Sequence, residues 1–373
     1  MSYEFISGAE AVVRASLHGG CNFFAGYPIS PSTEIHLKMM KELPSHNGIA
    51  IQGEDEIASI SMCIAASMAG KKSMTVTSGP GMSLYSENIG LAIMGEVPLV
   101  IINVQRLGPA TGGATTGAEG DILFSQWGTS GGMPIPVLSP SSIESVFYNV
   151  VHGFNISETL RTPVIILTSK DMMMTKYTID IENIVYPEIK NRKYFEGTNN
   201  FIPYHIEKLH DIPEFLPIGS SQSVRFTTSM HDEEGYLTKV SQNTEKKLSH
   251  LEEKIIKNEN RINRTILQKT NNSKTLIICY GINTAPCLEA VEVLNKEDVP
   301  CSMLTIESLF PLPEEDIKAA LNEIKKVVIP ELNNGQYARE IKPFIDSKID
   351  FISLKKYNGE LFRVEEVING VKG

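Results

Sequence analysis

The sequence lacks any hydrophobic run long enough to cross a membrane. Its longest apolar stretches, such as Pro98–Ile102 and Val164–Leu167, have the length of single strands, whereas a membrane-spanning helix needs about 20 apolar residues. The first residues also lack the basic segment and apolar core that are typical of a secretion signal. We therefore expect a cytoplasmic protein with no membrane partner.

Cysteine and clustered basic charge are also scarce. Five cysteines are spread over 373 residues, and none forms a Cys-x-x-Cys pair. An iron–sulfur cluster usually needs four closely spaced thiolates, so the pattern favours buried free thiols in a reducing compartment. The 34 basic and 44 acidic side chains give a formal charge of −10, which argues against a nucleic-acid or anionic-membrane surface.

Strand and helix signals alternate over the first half of the chain. Short apolar runs predict buried parallel strands, and the segments between them have helical periodicity. The predicted strands are 22–25, 49–52, 72–77, 98–104 and 163–168, and the predicted helices are 32–43, 55–69, 82–94 and 142–158. This alternation predicts an α/β fold with a doubly wound parallel sheet over residues 1–185.

The composition changes after residue 185. Residues 191–229 are polar and lack periodicity, and Asn243–Leu267 has the pattern of one charged amphipathic helix, so residues 186–270 are predicted to form a connection. Strand and helix signals alternate again over residues 271–373, which predicts a second, smaller α/β domain. The turn Gly281–Thr284 in this domain is either a nucleotide-binding turn or, as we favour, a structural contact.

Chemistry is expected at the carboxyl ends of the first set of strands, because ligands bind there in open parallel sheets. Four loops follow those strand ends and bring acids, hydroxyls and one arginine to the same edge. The loops are Gly26–Glu34, Gln52–Glu56, Ser78–Ser83 and Gln105–Pro109.

Taken singly, each loop has an ordinary structural explanation. Three acids at 54–56 are favoured by the dipole of a following helix. The Gly79-Pro80-Gly81 turn lacks the spacing of a dinucleotide or phosphate-binding loop. Arg106 has the position of a surface or ion-paired arginine, although its planar fork also suits a carboxylate.

Together, the loops resemble those of the alpha subunits of 2-oxoacid:ferredoxin oxidoreductases, and most of all the 2-oxoglutarate type. The resemblance covers nearly the whole chain. The segments that carry it are GYPISPSTE (26–34), EDEIASI (54–60), TSGPGMS (77–83), ENIG (87–90), QRLGPATG (105–112), Gly120-Asp121, HDEEG (231–235) and PELNNGQYAR (330–339).

The resemblance implies a fold and a division of labour between subunits. The first domain would be like the pyrimidine-binding domain of thiamine-dependent enzymes, and the second like the transketolase C-terminal domain. Thiamine pyrophosphate would be shared with a beta subunit that holds its pyrophosphate end and Mg²⁺. This chain has no Gly-Asp-Gly followed by a distant Asn-Asn, so no metal site is expected on it. Iron–sulfur clusters would lie on partner subunits, which include gamma and ferredoxin-like delta chains.

The resemblance also implies roles for particular residues. Glu56 would be catalytic and face the aminopyrimidine ring, while Ser30 and Arg106 would bind the substrate. Ser30 stands where the family has threonine. The implied cofactor-binding residues are Tyr27, Pro28, Glu56, Ser78, Gly79 and Asn88. The Gly/Thr-rich segment Gly108–Gly120 would be a flexible loop at the rim of the site.

The implied reaction is oxidative decarboxylation of a 2-oxoacid to an acyl-CoA, with reduction of ferredoxin. 2-Oxoglutarate is the preferred substrate, while pyruvate and branched-chain 2-oxoacids stay open. Two other hypotheses also stay open: a non-catalytic structural or regulatory subunit, and a stand-alone nucleotide-binding enzyme that uses Gly79–Gly81 or Gly281.

Overall fold

A computed structural model of the chain describes residues 2–373 as two parallel-sheet domains joined by an irregular connection. The strands are β1 (Tyr3–Ser7), β2 (Phe23–Gly26), β3 (Ile49–Gln52), β4 (Ser73–Thr77), β5 (Leu99–Gln105), β6 (Val137–Leu138), β7 (Pro163–Ser169), β8 (Lys176–Asp180), β9 (Thr265–Gln268), β10 (Thr275–Cys279), β11 (Cys301–Ile306), β12 (Ser308–Phe310), β13 (Lys326–Glu331) and β14 (Asp350–Lys355). The helices are α1 (Gly8–His18), α2 (Thr33–Glu42), α3 (Glu56–Met68), α4 (Gly79–Met94), α5 (Ile122–Trp127), α6 (Ile143–Leu160), α7 (Lys170–Met174), α8 (Ser241–Ile256), α9 (Thr284–Lys296), α10 (Glu314–Ala320), α11 (Gln336–Ile341) and α12 (Val364–Lys372).

The first sheet has seven strands in the order β12-β6-β7-β5-β4-β2-β3. Its central strands β5 and β7 pair in parallel over seven residues, and every residue of both is buried. That burial explains why they read as continuous apolar runs in the sequence. Helices α3 and α4 pack on one face, and α1, α2 and α6 pack on the other. The predicted doubly wound sheet is confirmed.

The second sheet has five strands in the order β14-β13-β10-β11-β9. Strands β10, β11, β13 and β14 run parallel, and β9 pairs antiparallel with β11 at one edge. Helices α9 and α12 cover this sheet with their own apolar core. The predicted second, smaller α/β domain is therefore confirmed as well.

The predicted helix over Asn243–Leu267 is wrong in its last part. The helix α8 ends at Ile256, where the side chain of Asn258 bonds back to the Lys254 carbonyl oxygen at 2.9 Å. The chain then turns, and β9 joins the edge of the second sheet. The apolar residues Ile266 and Leu267 therefore belong to a strand, because pairing with β11 outweighs the local helical pattern.

One strand from the C-terminal part of the chain joins the first sheet. After β11 the chain returns to the first domain, and β12 pairs antiparallel with β6 at the edge of the first sheet. The domain limits predicted from composition (1–185, 186–270 and 271–373) stay predictions. Pairing of β12 with β6 connects the second domain to the first through backbone hydrogen bonds.

The connection is fastened to the first domain by buried charges. Between Ile184 and Val240 the chain forms no helix or regular strand. The helix α8 then lies on Glu96, whose carboxylate pairs with Lys247 at 2.6 Å, with Lys254 at 2.8 Å and with His250 at 3.0 Å. All four side chains are buried. Such a cluster is stable only while its charges stay balanced.

The described residues contain few other specialised features. No helix within residues 2–373 combines the length and the apolar composition that a membrane crossing requires. Across the same residues, no group of three or more His, Cys, Asp or Glu side chains is arranged to hold a metal ion. The five cysteines are buried as free thiols.

Candidate active site at the carboxyl edge of the first sheet

The acidic run at 54–56 is divided among three different roles. Glu54 is exposed to solvent. Asp55 is the N-cap of α3, where its side chain accepts a hydrogen bond from the Ala58 amide at 2.7 Å. Glu56 is the first residue of α3 and points inward, with only 6% of its surface exposed. The helix-dipole explanation therefore fits Asp55 but not the burial of Glu56.

Glu56 lies directly against the glycine turn that begins α4. A Cβ atom added at Gly81 would collide with Thr77 Oγ1 and lie 2.9 Å from Glu56 Cγ, so this position has room only for glycine. Within residues 2–373, no donor forms a hydrogen bond with the Glu56 carboxylate, although it is buried. The carboxylate oxygens are therefore free to accept a hydrogen bond from a ligand that enters beside the glycine turn.

Arg106 crosses the sheet edge from β5 to the loop after β2. Its Nη1 donates to the Ser30 carbonyl oxygen at 2.5 Å, and its Nη2 donates to the Thr111 carbonyl oxygen at 3.1 Å. The guanidinium is 6% exposed and its Nε has no partner. Among the described residues, no carboxylate lies within ion-pairing distance of it. Arg106 is thus a buried cation with an unused donor, which suits an anionic ligand.

The structure joins the predicted site residues in two groups. Ser30 and Arg106 touch through the Ser30 carbonyl, while the Ser30 side chain faces solvent. Glu56 packs on the turn that starts at Gly79, and the buried Ser78 hydroxyl beside it has no partner. No hydrogen bond links the two groups within the part of the chain that the structure describes.

The other predicted cofactor residues lie around these two groups. Tyr27 is 37% exposed, and Pro28 beside it is half-buried. Asn88 lies further along α4, where its Oδ1 accepts a hydrogen bond from Ser61 of α3 at 3.1 Å. Asn88 therefore also helps to hold α3 and α4 together.

A cleft of about 610 Å³ opens beside Arg106 between the two domains. Residues from both domains line it, among them Gly79, Arg106, Asp121, Phe124, Asn334 and Gln336. A volume of this size holds a small organic ligand. Its position at the carboxyl ends of β4 and β5 is the one expected for a ligand in an open parallel sheet.

Asp121 is a cleft residue to which the sequence alone assigned no role. Its Oδ2 accepts a hydrogen bond from Asn103 at 2.9 Å, and its amide donates to Gln105 Oε1 at 3.0 Å. Burial raises the pKa of Asp121, although Asn103 and Arg106 act in the opposite direction. The signal in the sequence was the Gly120-Asp121 pair, which carries a buried acid back to the strand ends after the Gly/Thr-rich segment.

Glu119 fills the turn that was a candidate nucleotide site. Its carboxylate accepts hydrogen bonds from the Ile282 amide at 3.1 Å and from Asn283 Nδ2 at 2.8 Å. Gly281 has a φ of 58°, and a Cβ atom there would collide with the same carboxylate. The Ile282 amide and the Asn283 side chain are therefore used within the chain, which supports a structural contact between domains.

Glu119 makes the stability of this contact depend on pH. Burial, with smaller contributions from Glu331, Asp171 and Cys279, raises the Glu119 pKa from 4.5 to about 8, against the Ile282 hydrogen bond. Because the folded state binds this proton more tightly than the unfolded state, the contribution of Glu119 is fully present below pH 4.5 and is lost as the pH rises through about 8.

Raising the pH from about 5.5 to about 8.5 removes the Glu119 proton in the wild type. We therefore expect the melting temperature of the wild type to fall more over this range than that of Glu119→Gln, which has no proton to lose there. Thermal unfolding at several pH values, followed by circular dichroism, measures the difference. Parallel pH dependence of the two proteins would contradict the assignment.

Comparisons with known proteins cover almost the whole chain. Residues 14–267 match the family described as pyruvate flavodoxin/ferredoxin oxidoreductase, thiamine diphosphate-binding, and residues 273–367 match the pyruvate:ferredoxin oxidoreductase core domain II. The chain is 37% identical over 374 residues to the 2-oxoglutarate synthase subunit KorA of Methanocaldococcus jannaschii, and the match covers 100% of both chains.

Two solved structures are similar to this chain. One is a 2-oxoglutarate:ferredoxin oxidoreductase from Magnetococcus marinus with 2-oxoglutarate, coenzyme A and succinyl-CoA bound, at a TM-score of 0.91 and 30% identity. The match covers 99% of this chain but only 65% of that chain. The other, a split-gene transketolase in an inactive beta4 tetramer, has a TM-score of 0.56 and 12% identity, so it shows the fold alone.

The resemblance that the loops indicated is thus confirmed by full-length similarity. The match runs through the first sheet, the connection and the second sheet. The chain belongs to the pyruvate flavodoxin/ferredoxin oxidoreductase family.

Proposed function

We propose that this chain is the alpha subunit of a thiamine-pyrophosphate-dependent oxidoreductase that converts a 2-oxoacid, preferably 2-oxoglutarate, to its acyl-CoA and reduces ferredoxin. The observation that carries this proposal is Glu56, a buried carboxylate at a strand-end turn that has no hydrogen-bond donor of its own among the described residues. The full-length similarity to a 2-oxoglutarate synthase subunit supports the choice of substrate.

The residues around Glu56 fit the aminopyrimidine end of the cofactor. The Glu56 carboxylate forms no hydrogen bond among the described residues, and the Ser78 hydroxyl is buried without a partner. The glycine turn at 79–81 keeps side chains out of the space beside them. When bound, thiamine pyrophosphate supplies the electron sink for loss of carbon dioxide. Tyr27, Pro28, Gly79 and Asn88 complete the set that we propose to hold it.

Glu56 is proposed to share a proton with the ring nitrogen of the aminopyrimidine. A carboxylate that is held without a competing donor is free to make that single bond, and its position at the first residue of a capped helix keeps it fixed. The other predicted roles follow from charge. Arg106 binds the substrate carboxylate, and the exposed Ser30 hydroxyl donates a hydrogen bond to the substrate.

The proposal includes partner subunits. This chain contributes only the pyrimidine half of the site, so a beta subunit supplies the pyrophosphate half with Mg²⁺, and the iron–sulfur clusters lie on partner chains. Gamma and ferredoxin-like delta chains, ferredoxin and coenzyme A are the remaining partners. We place the complex in the cytoplasm, where the five buried thiols would stay reduced.

The non-catalytic alternative is less well supported. A structural subunit would have no reason to keep Arg106 buried without an ion pair, because a buried charge without an opposite charge costs folding free energy. A stand-alone nucleotide-binding enzyme is also disfavoured, since Glu119 occupies the Gly281 turn.

Arg106→Gln in the reconstituted complex tests the substrate role. A hydrogen bond to a charged group contributes about 1.5–3 kcal/mol, so we expect kcat/KM for 2-oxoglutarate to fall roughly 10- to 100-fold, mainly through KM. A panel of 2-oxoglutarate, pyruvate and branched-chain 2-oxoacids with a low-potential acceptor gives the measurement. Arg225→Gln, at an exposed arginine of the connection, is the control. An unchanged KM for every 2-oxoacid would reject the proposed role.

A further inference from the structure

A side chain of the second domain forms hydrogen bonds with the main chain of the first domain at the wall of the cleft. Gln336 Nε2 donates to the Gly120 carbonyl oxygen at 2.6 Å, and the Leu123 amide donates to Gln336 Oε1 at 3.1 Å. The single amide group of Gln336 thus holds the backbone on both sides of Asp121. Because one side chain makes both bonds, losing it frees both.

Residues next to Gln336 add further hydrogen bonds between the two domains. Asn333 Nδ2 donates to the Glu119 carbonyl oxygen at 2.8 Å, and the Glu119 amide donates to the Leu332 carbonyl oxygen at 3.1 Å. Asn333 Oδ1 also accepts hydrogen bonds from the amides of Gly335 and Gln336, which fixes the start of α11. The residues at 332–336 therefore form a rigid support for the cleft wall.

Asp121 is the cleft residue that this support holds. Its carboxylate bonds to Asn103, and a Cβ atom at Gly79 would lie 3.3 Å from its Oδ2. Asp121 and Arg106 line the same cleft and interact electrostatically. Yet they form no ion pair, and Arg106 Nε has no partner at all.

This separation needs an explanation, because a buried cation and a nearby acid gain energy by pairing. A pair between Asp121 and Arg106 would occupy the guanidinium that the substrate carboxylate needs. We propose that Gln336 is a positioning residue that keeps Asp121 out of ion-pairing distance of Arg106, so that Arg106 stays free for the 2-oxoacid carboxylate. This inference rests on the role of Arg106 in the proposed function.

Two kinetic constants and one exchange rate test the inference. In the reconstituted complex, Gln336→Ala should raise the KM for 2-oxoglutarate about tenfold and leave kcat within about twofold, since a competitor for ground-state binding has been released. Asp121→Asn removes that competitor, so the double variant should return to within about twofold of the KM of Asp121→Asn alone. Hydrogen exchange on the isolated chain should be faster at the Leu123 amide in Gln336→Ala.

Two further variants serve as a control and as a separate test of the two Gln336 hydrogen bonds. Glu365→Ala truncates an exposed residue of α12 in the same domain and should keep the wild-type KM and exchange rate. Gln336→Glu keeps the acceptor for Leu123 but loses the donor to Gly120, so it should protect the Leu123 amide and still raise KM. It also serves if Gln336→Ala does not fold.

The outcomes separate this inference from the proposed function. An active wild-type complex with an unchanged KM in both Gln336 variants would overturn the inference alone. So would a double variant that keeps the raised KM, because the defect would then not pass through Asp121. A wild-type complex that turns over no 2-oxoacid would overturn the proposed function first.

Discussion

The complex that carries Glu56→Gln is expected to lose about 10²- to 10⁴-fold in kcat, the range typical of removing an acid–base group. Gln has the shape of Glu but cannot share a proton with the cofactor ring. It should still fit between Thr77 and Gly81, so the variant should fold and assemble with its partner. Steady-state turnover of 2-oxoglutarate with a low-potential acceptor measures the loss, and calorimetric titration with thiamine pyrophosphate should show weaker binding.

Glu54→Gln is the matched control for this experiment. It neutralises an acid two residues away in the same run, but Glu54 is exposed and makes no contact with the glycine turn. Its kcat should stay close to that of the wild type. If Glu56→Gln and Glu54→Gln gave equal activities, the acidic run would act only through the helix dipole, and Glu56 would have no chemical role.

Glu96→Gln should cause the largest loss of stability, about 3–5 kcal/mol, as is typical of breaking one partner out of a buried ion cluster. Burial opposes the ionisation of Glu96, but Lys247, Lys254 and His250 outweigh it and hold the Glu96 pKa well below its usual range. Without the carboxylate, the buried Lys247 and Lys254 ammonium groups, whose pKa values burial already lowers, lose the acid that stabilises their charged forms. Urea unfolding of the isolated chain measures the loss as a lower midpoint.

The pH dependence of this loss has a defined sign. Because the Glu96 pKa is depressed in the folded state, its ionised carboxylate stabilises the fold at pH values above 4.5. This contribution to the free energy of unfolding is lost as the pH falls through the folded-state pKa. The gap between the wild type and Glu96→Gln should therefore narrow in acid. Glu252→Gln, at an exposed position on α8, should unfold like the wild type at all pH values. A Glu96→Gln midpoint equal to that of the control would show that the cluster does not fasten the connection.

Local patterns were enough to predict β2, β3, β4, β5 and β7 of the first sheet, and with them the edge where we propose the site. Strands β5 and β7 are buried on both faces, so their apolar runs were visible without any long-range information. The rule that ligands bind at strand ends then led to Glu56 and Arg106. The same approach missed α1, although its buried residues Ala9, Ala11 and Ala15 are of the type that most favours helices.

Features that depend on contacts between distant residues could not be predicted. The sequence around β12 gives no indication that it leaves the second domain to pair with β6. Likewise, Gly120 and Gln336 lie more than 200 residues apart along the chain, and the hydrogen bond between them forms only when the domains pack. The prediction that the helix at 243–267 extends to Leu267 was wrong for the same reason. Residues 265–268 pair with β11, a partner that is distant in the sequence and absent from the local pattern.

The central claim is that this chain supplies the pyrimidine half of a shared thiamine site and works only with a partner. The most direct measurement compares the purified chain, its beta partner and the reconstituted complex for 2-oxoglutarate-dependent reduction of a low-potential acceptor. We predict turnover in the complex, with added thiamine pyrophosphate, Mg²⁺ and coenzyme A, and none in either chain alone. Decarboxylation of 2-oxoglutarate by the isolated chain would contradict the account.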